Sequence, residues 1–126
     1  AALADVVGDG DAARAGFDAV LLADTMWDSR PHAILLETLC AVLAPEGEIW
    51  MCHCHHWDGH EAADRNFFGL ARSLGLVVEE LDAAAADLTC LFGDETQRAF
   101  VHRFTWGACQ PAPALPAGIT AVPVAD

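Results

Sequence analysis

Apolar residues recur along this chain in blocks whose spacing alternates between that of a strand and that of a helix. The run from Phe17 to Ala23 is short and nearly continuously apolar, which is typical of a parallel strand covered on both faces. Leucine and valine then recur every three or four residues from Leu35 to Leu43, which predicts a helix, and a second strand is expected over Glu48 to Cys54. Residues 17–54 are therefore predicted to form one strand–helix–strand unit with a right-handed crossover.

The same alternation continues in the second half of the chain. A second helix is predicted because apolar residues recur on one helical face: Ala63, Phe67, Leu70, Ala71 and Leu74. Gly75 is expected to end this helix in a left-handed conformation. Residues 76–81 are expected to form the next strand. After an acidic and alanine-rich loop, residues 100–106 alternate with a period of two and are predicted to be the last strand. The pattern indicates an α/β layer fold with four strands, two or three helices and a mostly parallel sheet.

The final twenty residues, 107–126, differ in composition from the rest. They hold four of the six prolines, mixed with alanine, and show no periodicity, so we expect a flexible tail. Residues 1–106 are then a single domain. The first residue is Ala1 rather than a methionine, and we expect that the natural amino terminus lies further upstream.

Charge and cysteine usage limit the partners. The formal net charge is −13, with six arginines and no lysine, so the chain has no basic stripe for nucleic acid and would be repelled by anionic lipid. No apolar run approaches the roughly 20 residues that span a bilayer. The five cysteines are odd in number and scattered, which favours a reducing compartment, the cytoplasm.

Ligands of open α/β sheets bind at the carboxyl ends of the strands, and the first complete strand ends at Ala23. The residues that follow, Asp24 and Trp27, are therefore the best candidates for a site. A carboxylate can orient a positively polarised amine, and an indole face can contact a cation. The alternative is that Asp24 only ends the strand and Trp27 packs beside the neighbouring helix.

Cysteine and histidine are dense between Met51 and His60, which raises the hypothesis of a zinc or copper site. On a strand, Cys52, Cys54 and His56 would point to one side, whereas His53 and His55 would point to the other. A tetrahedral set of four ligands would require the strand to break, so no metal ligand is assigned. The alternative for this segment is a polar loop after a buried strand.

Residues 17–27, F-D-A-V-L-L-A-D-T-M-W, resemble the fourth strand of a branch of the class I S-adenosylmethionine-dependent methyltransferases. This lysine-methyltransferase-like branch also contains nicotinamide N-methyltransferase-like proteins. The resemblance continues through L-A-P-E-G-E-I-W at 43–50 and F-F-G-L-A-R-S-L-G-L at 67–76, and it covers residues 5–106. It implies a Rossmann-like three-layer sandwich, of which this chain holds the last four strands with their helices, without the amino-terminal half of the domain.

The resemblance also implies a cofactor, S-adenosylmethionine, and roles for particular residues. Val7 stands where the family has a tryptophan beside the adenine, and Ala23 would contribute to the cofactor wall. Asp24 and Trp27 would lie at the mouth where the methyl acceptor enters, with Asp24 as the catalytic candidate and His55 lining the substrate pocket. The family's glycine-rich turn and its acidic ribose ligand would lie upstream of this chain.

The expected function is thus N-methylation of a protein, at a lysine or an amino terminus, or of a small amine. Two alternatives stay open at this point. One is a catalytically inactive methyltransferase-like binding module, and the other is a metal-binding module centred on residues 52–60.

Overall fold

Two helices and two sheets make up the part of the chain that the computed structural model describes, residues 16–55, 60–82, 89–92, 95–108 and 115–122. In chain order the elements are β1 (Phe17–Ala23), α1 (His32–Val42), β2 (Leu43–His53), α2 (His60–Ser73), β3 (Leu76–Asp82), β4 (Thr89–Phe92), β5 (Glu95–Arg98), β6 (Phe100–Trp106) and β7 (Thr120–Ala121). The predicted α/β class is confirmed. None of the described helices is long and apolar enough to cross a membrane.

The larger sheet has five strands in the order β1-β2-β6-β3-β7, and β4 pairs with β5 in a separate hairpin. Strands β1 and β2 are parallel, whereas β6 runs antiparallel to both β2 and β3, and β7 runs antiparallel to β3. The expectation of a mostly parallel sheet is therefore wrong for these strands. Two parallel neighbouring strands need a crossover connection, usually a helix. The segment between β3 and β6 contains the β4–β5 hairpin and no described helix, and β6 runs antiparallel to β3.

Both helices pack on the same face of this sheet. The core there contains apolar side chains from each helix and from the strands beneath: Leu36, Leu39, Phe67, Ala71, Ile49, Met51, Val78 and Phe104. The connections from β1 to β2 and from β2 to β3 move in the same direction across the sheet, so crossovers of one hand put both helices on one face. The described elements thus form two of the three layers expected, and no described element covers the opposite face, where Leu21 is 79% exposed.

The start of β2 is irregular. Phe17 pairs with Leu43, but Ala19 pairs with Glu48, so the segment between these two partners bulges out of the ladder. A Cβ atom at Gly47 would lie 2.6 Å from the carbonyl oxygen of Phe17, which explains why glycine is needed in this bulge. Strand β2 therefore begins at Leu43, five residues before the predicted start at Glu48.

Helix α2 buries a different face from the one predicted. Asp64, Phe67, Phe68 and Ala71 are buried, whereas Leu70 and Leu74 are 41% and 45% exposed. The large adjacent rings at 67 and 68 both turn toward the sheet, which rotates the buried stripe away from the leucines. The predicted close of the helix is confirmed, because Gly75 has a φ of 95°.

Two connections also differ from the sequence expectation. Part of the acidic loop before the last strand forms the hairpin of β4 and β5. Within the proline-rich segment predicted as a tail, residues 115–122 are described, and Ala121 pairs with Leu81 at the edge of β3. This part of the segment therefore returns to the sheet at one point.

Candidate functional site

Polar side chains from three elements meet near the carboxyl ends of β1 and β2. His53 is the last residue of β2, and His55 follows it. Asp64 comes from the first half of α2, and His102 lies near the start of the antiparallel strand β6. Because β6 begins at the edge where β1 and β2 end, sheet topology brings these residues together.

Asp64 is the centre of the cluster. Its side chain is 1% exposed, and its Oδ2 lies 2.7 Å from Nδ1 of His55 and 3.7 Å from Nδ1 of His53. These two nitrogens and the carboxylate oxygen lie within 4.8 Å of one another. Two imidazoles and one carboxylate thus converge on a small volume, an arrangement that can bind a cation or move a proton.

His53 also contacts a further histidine, His102, on the side away from Asp64. Nε2 of His53 and Nδ1 of His102 share a hydrogen bond of 3.2 Å, and the ring of Phe68 stacks on His102 with centroids 4.3 Å apart. The ring of Phe100 lies 4.8 Å from that of His55. Aromatic contacts on both sides therefore restrict the orientation of the imidazoles.

Burial lowers the pKa values of His53 and His102. It is the main reason that the pKa of His53 falls from 6.5 to about 4, and the neighbouring His102 lowers it as well. The carboxylates of Asp64 and Asp24 act in the opposite direction. Burial likewise lowers the pKa of His102 to about 4, with a further contribution from the guanidinium of Arg72. Both rings are therefore neutral at pH 7, and each has one protonated nitrogen and one nitrogen with a lone pair.

Two buried polar atoms of the cluster lack a hydrogen-bond partner among the described residues. They are Nδ1 of His53 and Oδ1 of Asp64, on side chains that are each 1% exposed. A buried polar group without a partner costs about 1–3 kcal/mol, and more when it is charged. Such atoms point to a binding partner that is not part of the chain.

The cluster forms one wall of a cleft of about 900 Å³ between α2, the sheet and the chain near β7. Charged residues of both signs line the remaining walls: Glu61, Arg65, Arg72, Glu79 and Glu80. Apolar side chains, among them Phe68, Val78 and Phe100, also line the cleft, so it is suited to a ligand with both charged and apolar parts.

The residues predicted at the end of β1 lie apart from this cleft. Ala23 and Asp24 are exposed, Trp27 is 55% exposed, and none of the three lines the cleft. Asp24 has a φ of 53°, and its amide donates to the carbonyl of Cys52 at 2.8 Å. His55, predicted to line the substrate pocket, does line the cleft, and Val7 lies outside the described residues.

Sequence reasoning missed Asp64 and His102. Both carry a local signal, because Asp64 is a lone acidic residue on the buried face of an amphipathic helix and His102 alternates with Phe100 and Phe104 on a strand. Neither signal connects these residues with His53, because both contacts depend on how α2 and β6 pack against β2.

Comparison with known proteins adds no identification. No protein-family model matches the chain, and no match is found among curated proteins.

Proposed function

We propose that this chain forms the carboxyl-terminal half of a class I, Rossmann-like methyltransferase domain that transfers a methyl group from S-adenosylmethionine to a protein nitrogen. The acceptor is a lysine side chain or an amino terminus. The four strands that the resemblance covers, β1, β2, β3 and β6, lie in one sheet, which supports the proposal. The resemblance also covers two stretches with helical spacing, and both are helices in the structure, α1 and α2.

The observation that carries the proposal is the backbone of Asp24. A left-handed conformation costs an ordinary residue roughly 1–2 kcal/mol, although aspartate tolerates it better than most residues. Asp24 adopts it with a φ of 53°, directly after the carboxyl end of a parallel strand. Strain of this kind concentrates at functional sites, and this position is the one at which open α/β sheets bind ligands.

The described residues are compatible with the cofactor. Ala23 is exposed at the end of β1, and its side chain is a single methyl group, so an S-adenosylmethionine molecule can lie against it. The cofactor supplies an electrophilic methyl group on a sulfonium. Asp24 accepts a hydrogen bond from an N–H of the acceptor and so aligns the nitrogen lone pair for in-line displacement. Trp27 offers an aromatic face to the positively polarised amine.

The exposure of Asp24 and Trp27 favours a protein as the methyl acceptor. Sites for small molecules bury most of the ligand surface. Among the residues that the structure describes, Asp24 is exposed and Trp27 is 55% exposed, so both are within reach of a group presented by a larger partner. A side chain or terminus presented by a larger partner fits an open mouth better.

A labelled methyl-transfer assay tests the proposal. The intact polypeptide that includes the glycine-rich turn is incubated with methyl-labelled S-adenosylmethionine and with two peptides, one rich in lysine and one with a free amino terminus. We expect label on at least one peptide and none when the peptide nitrogens are acetylated. Cofactor binding without transfer to any acceptor would support the inactive binding module instead, and no binding at all would refute the methyltransferase proposal.

A further inference from the structure

We propose that His53, His55 and Asp64 form a binding site for one divalent transition-metal ion of the zinc class. Each side chain offers one donor atom, and the three atoms lie within 4.8 Å of one another. Two donor atoms on one zinc ion are at most about 4 Å apart, so small side-chain rotations bring all three onto one ion. The site is independent of the methyl-transfer proposal.

The unpartnered nitrogen of His53 is the first observation that points to a cation. Nδ1 of this ring is buried without a hydrogen-bond partner, 3.7 Å from Oδ2 of Asp64. That distance is too long for a hydrogen bond, and a lone pair facing a carboxylate is repelled by it. A metal ion between the two atoms removes the repulsion and satisfies both groups.

The second observation is the hydrogen bond on the far side of the same ring. Histidines that bind metals almost always donate their other ring N–H to a neighbouring acceptor, which fixes the tautomer. Nε2 of His53 lies 3.2 Å from Nδ1 of His102, and Phe68 stacks on the His102 ring. When His53 donates this bond, its Nδ1 lone pair faces the cluster. His102 is therefore a positioning residue and not a ligand.

The buried carboxylate is the third observation. Asp64 is 1% exposed, one of its oxygens has no hydrogen-bond partner, and the other contacts only imidazole among its described contacts. Burying a carboxylate without full compensation is costly, and a dication supplies the missing charge.

The donor set indicates which metal binds. Magnesium and calcium prefer oxygen ligands, whereas two imidazoles with one carboxylate suit zinc and its first-row neighbours. Three protein ligands leave a coordination position open, as in catalytic zinc sites. The side chain of His55 is 25% exposed and lines the cleft, so this open position faces the cleft and a ligand can reach it.

Cobalt titration of the chelator-treated chain tests the site, because Co²⁺ reports its ligands through visible absorption and Zn²⁺ then displaces it. We expect one equivalent of Co²⁺ to bind without the intense near-ultraviolet band of thiolate ligands. Asp64→Asn and His55→Ala should each weaken binding by about tenfold or more. Glu61→Gln, one turn earlier on α2 and also in the cleft, is the matched control and should bind as the unmodified chain does.

Circular dichroism of each metal-free variant checks that it folds. If Asp64→Asn unfolds, the test stays valid through His55→Ala, because the side chain of His55 is partly exposed and its loss disturbs the core less. The proposal is overturned if the chain binds no Co²⁺ or if Asp64→Asn and His55→Ala both fold and bind normally. It is also overturned if Cys52→Ser abolishes binding, because the ligands would then be the cysteines on the other side of β2.

Discussion

Asp24 follows β1 and His53 ends the neighbouring parallel strand β2, but their surroundings differ. Asp24 is exposed and adopts a left-handed backbone conformation, whereas the side chain of His53 is 1% exposed and bonded to His102. The carboxylate of Asp24 nevertheless raises the pKa of His53, against the lowering effect of burial, so the two are electrostatically connected. Because one residue is exposed and the other buried, they call for different tests.

Replacement of Asp24 separates chemistry from backbone strain. Asparagine tolerates a φ of 53° about as well as aspartate does, so Asp24→Asn should change the free energy of unfolding by less than about 0.5 kcal/mol. We expect it to lower methyl transfer by about tenfold or more, because it removes the charge facing the acceptor. Asp24→Ala adds a backbone cost of about 1 kcal/mol. Urea denaturation and the transfer assay measure the two effects, and unchanged transfer in Asp24→Asn would exclude Asp24 from acceptor binding.

Acid should destabilise the metal-free chain through its buried histidines. The pKa values of His53 and His102 are about 4 in the folded chain and 6.5 when unfolded, so the unfolded state binds more protons between these values. Stability is therefore full above pH 6.5 and is lost as the pH falls toward 4, by at most about 3 kcal/mol for each ring.

The measurement is the free energy of unfolding by urea, in the presence of a chelator, across that pH range. His102→Gln keeps a hydrogen-bond partner for His53 but does not titrate, so its pH dependence should be shallower. An equal slope in the variant and in the unmodified chain would show that His102 does not contribute.

Among the elements, α2 has the largest role, because it brings Asp64 to the site and supplies Phe67 and Phe68 to the core. Its two glycines lie in different environments. Gly69 is in the helix interior and Gly75 follows its end with a φ of 95°, and no atom lies within 4 Å of a Cβ at either position. Steric crowding is therefore the same for both, and only the backbone conformation differs.

The two glycines form a matched pair of substitutions. Gly69→Ala should stabilise the chain by about 0.5–1 kcal/mol, because alanine favours a helix interior. Gly75→Ala should destabilise it by about 1 kcal/mol, because alanine resists a positive φ. Thermal unfolding of both variants measures the effects. Shifts of the same sign would mean that the turn after α2 does not hold the described conformation.

For the molecule as a whole, the main asymmetry is between the two faces of the larger sheet. The helices cover one face, and on the other face no described element covers Leu21, which is 79% exposed. The buried Arg103 also lies on this second face, with its guanidinium 2.7 Å from Glu79. Under the methyltransferase proposal, the remaining half of the domain would pack here.

The exposed leucine on this face should promote self-association of the chain. Leu21→Lys should therefore raise the concentration at which the chain associates, because it puts a charge on that face. Ile34→Lys is the control, since Ile34 is 68% exposed and lies on α1. Sedimentation velocity over a range of concentrations distinguishes the two. Equal effects of both substitutions would indicate a general charge effect and not an associating sheet face.

Local periodicity was sufficient for much of the fold. The strand at 17–23, the helix beginning near residue 32 and the left-handed Gly75 all follow from signals within a few residues of sequence. The period of two also grouped His53 with His55, and both lie close to Asp64, although β2 ends at His53 and His55 lies beyond it. These features depend on the chain's own backbone geometry.

Only the tertiary structure decided the strand order and the cluster. The insertion of β6 between β2 and β3 depends on pairings between residues far apart in the chain, such as Met51 with His102. The same insertion brings His102 to His53, and the packing of Phe67 and Phe68 turns Asp64 toward both histidines. Sequence alone therefore determined most of the elements of the larger sheet, both helices and the grouping of His53 with His55. The contacts between elements, and with them the candidate metal site, arise from long-range packing that no local spacing encodes.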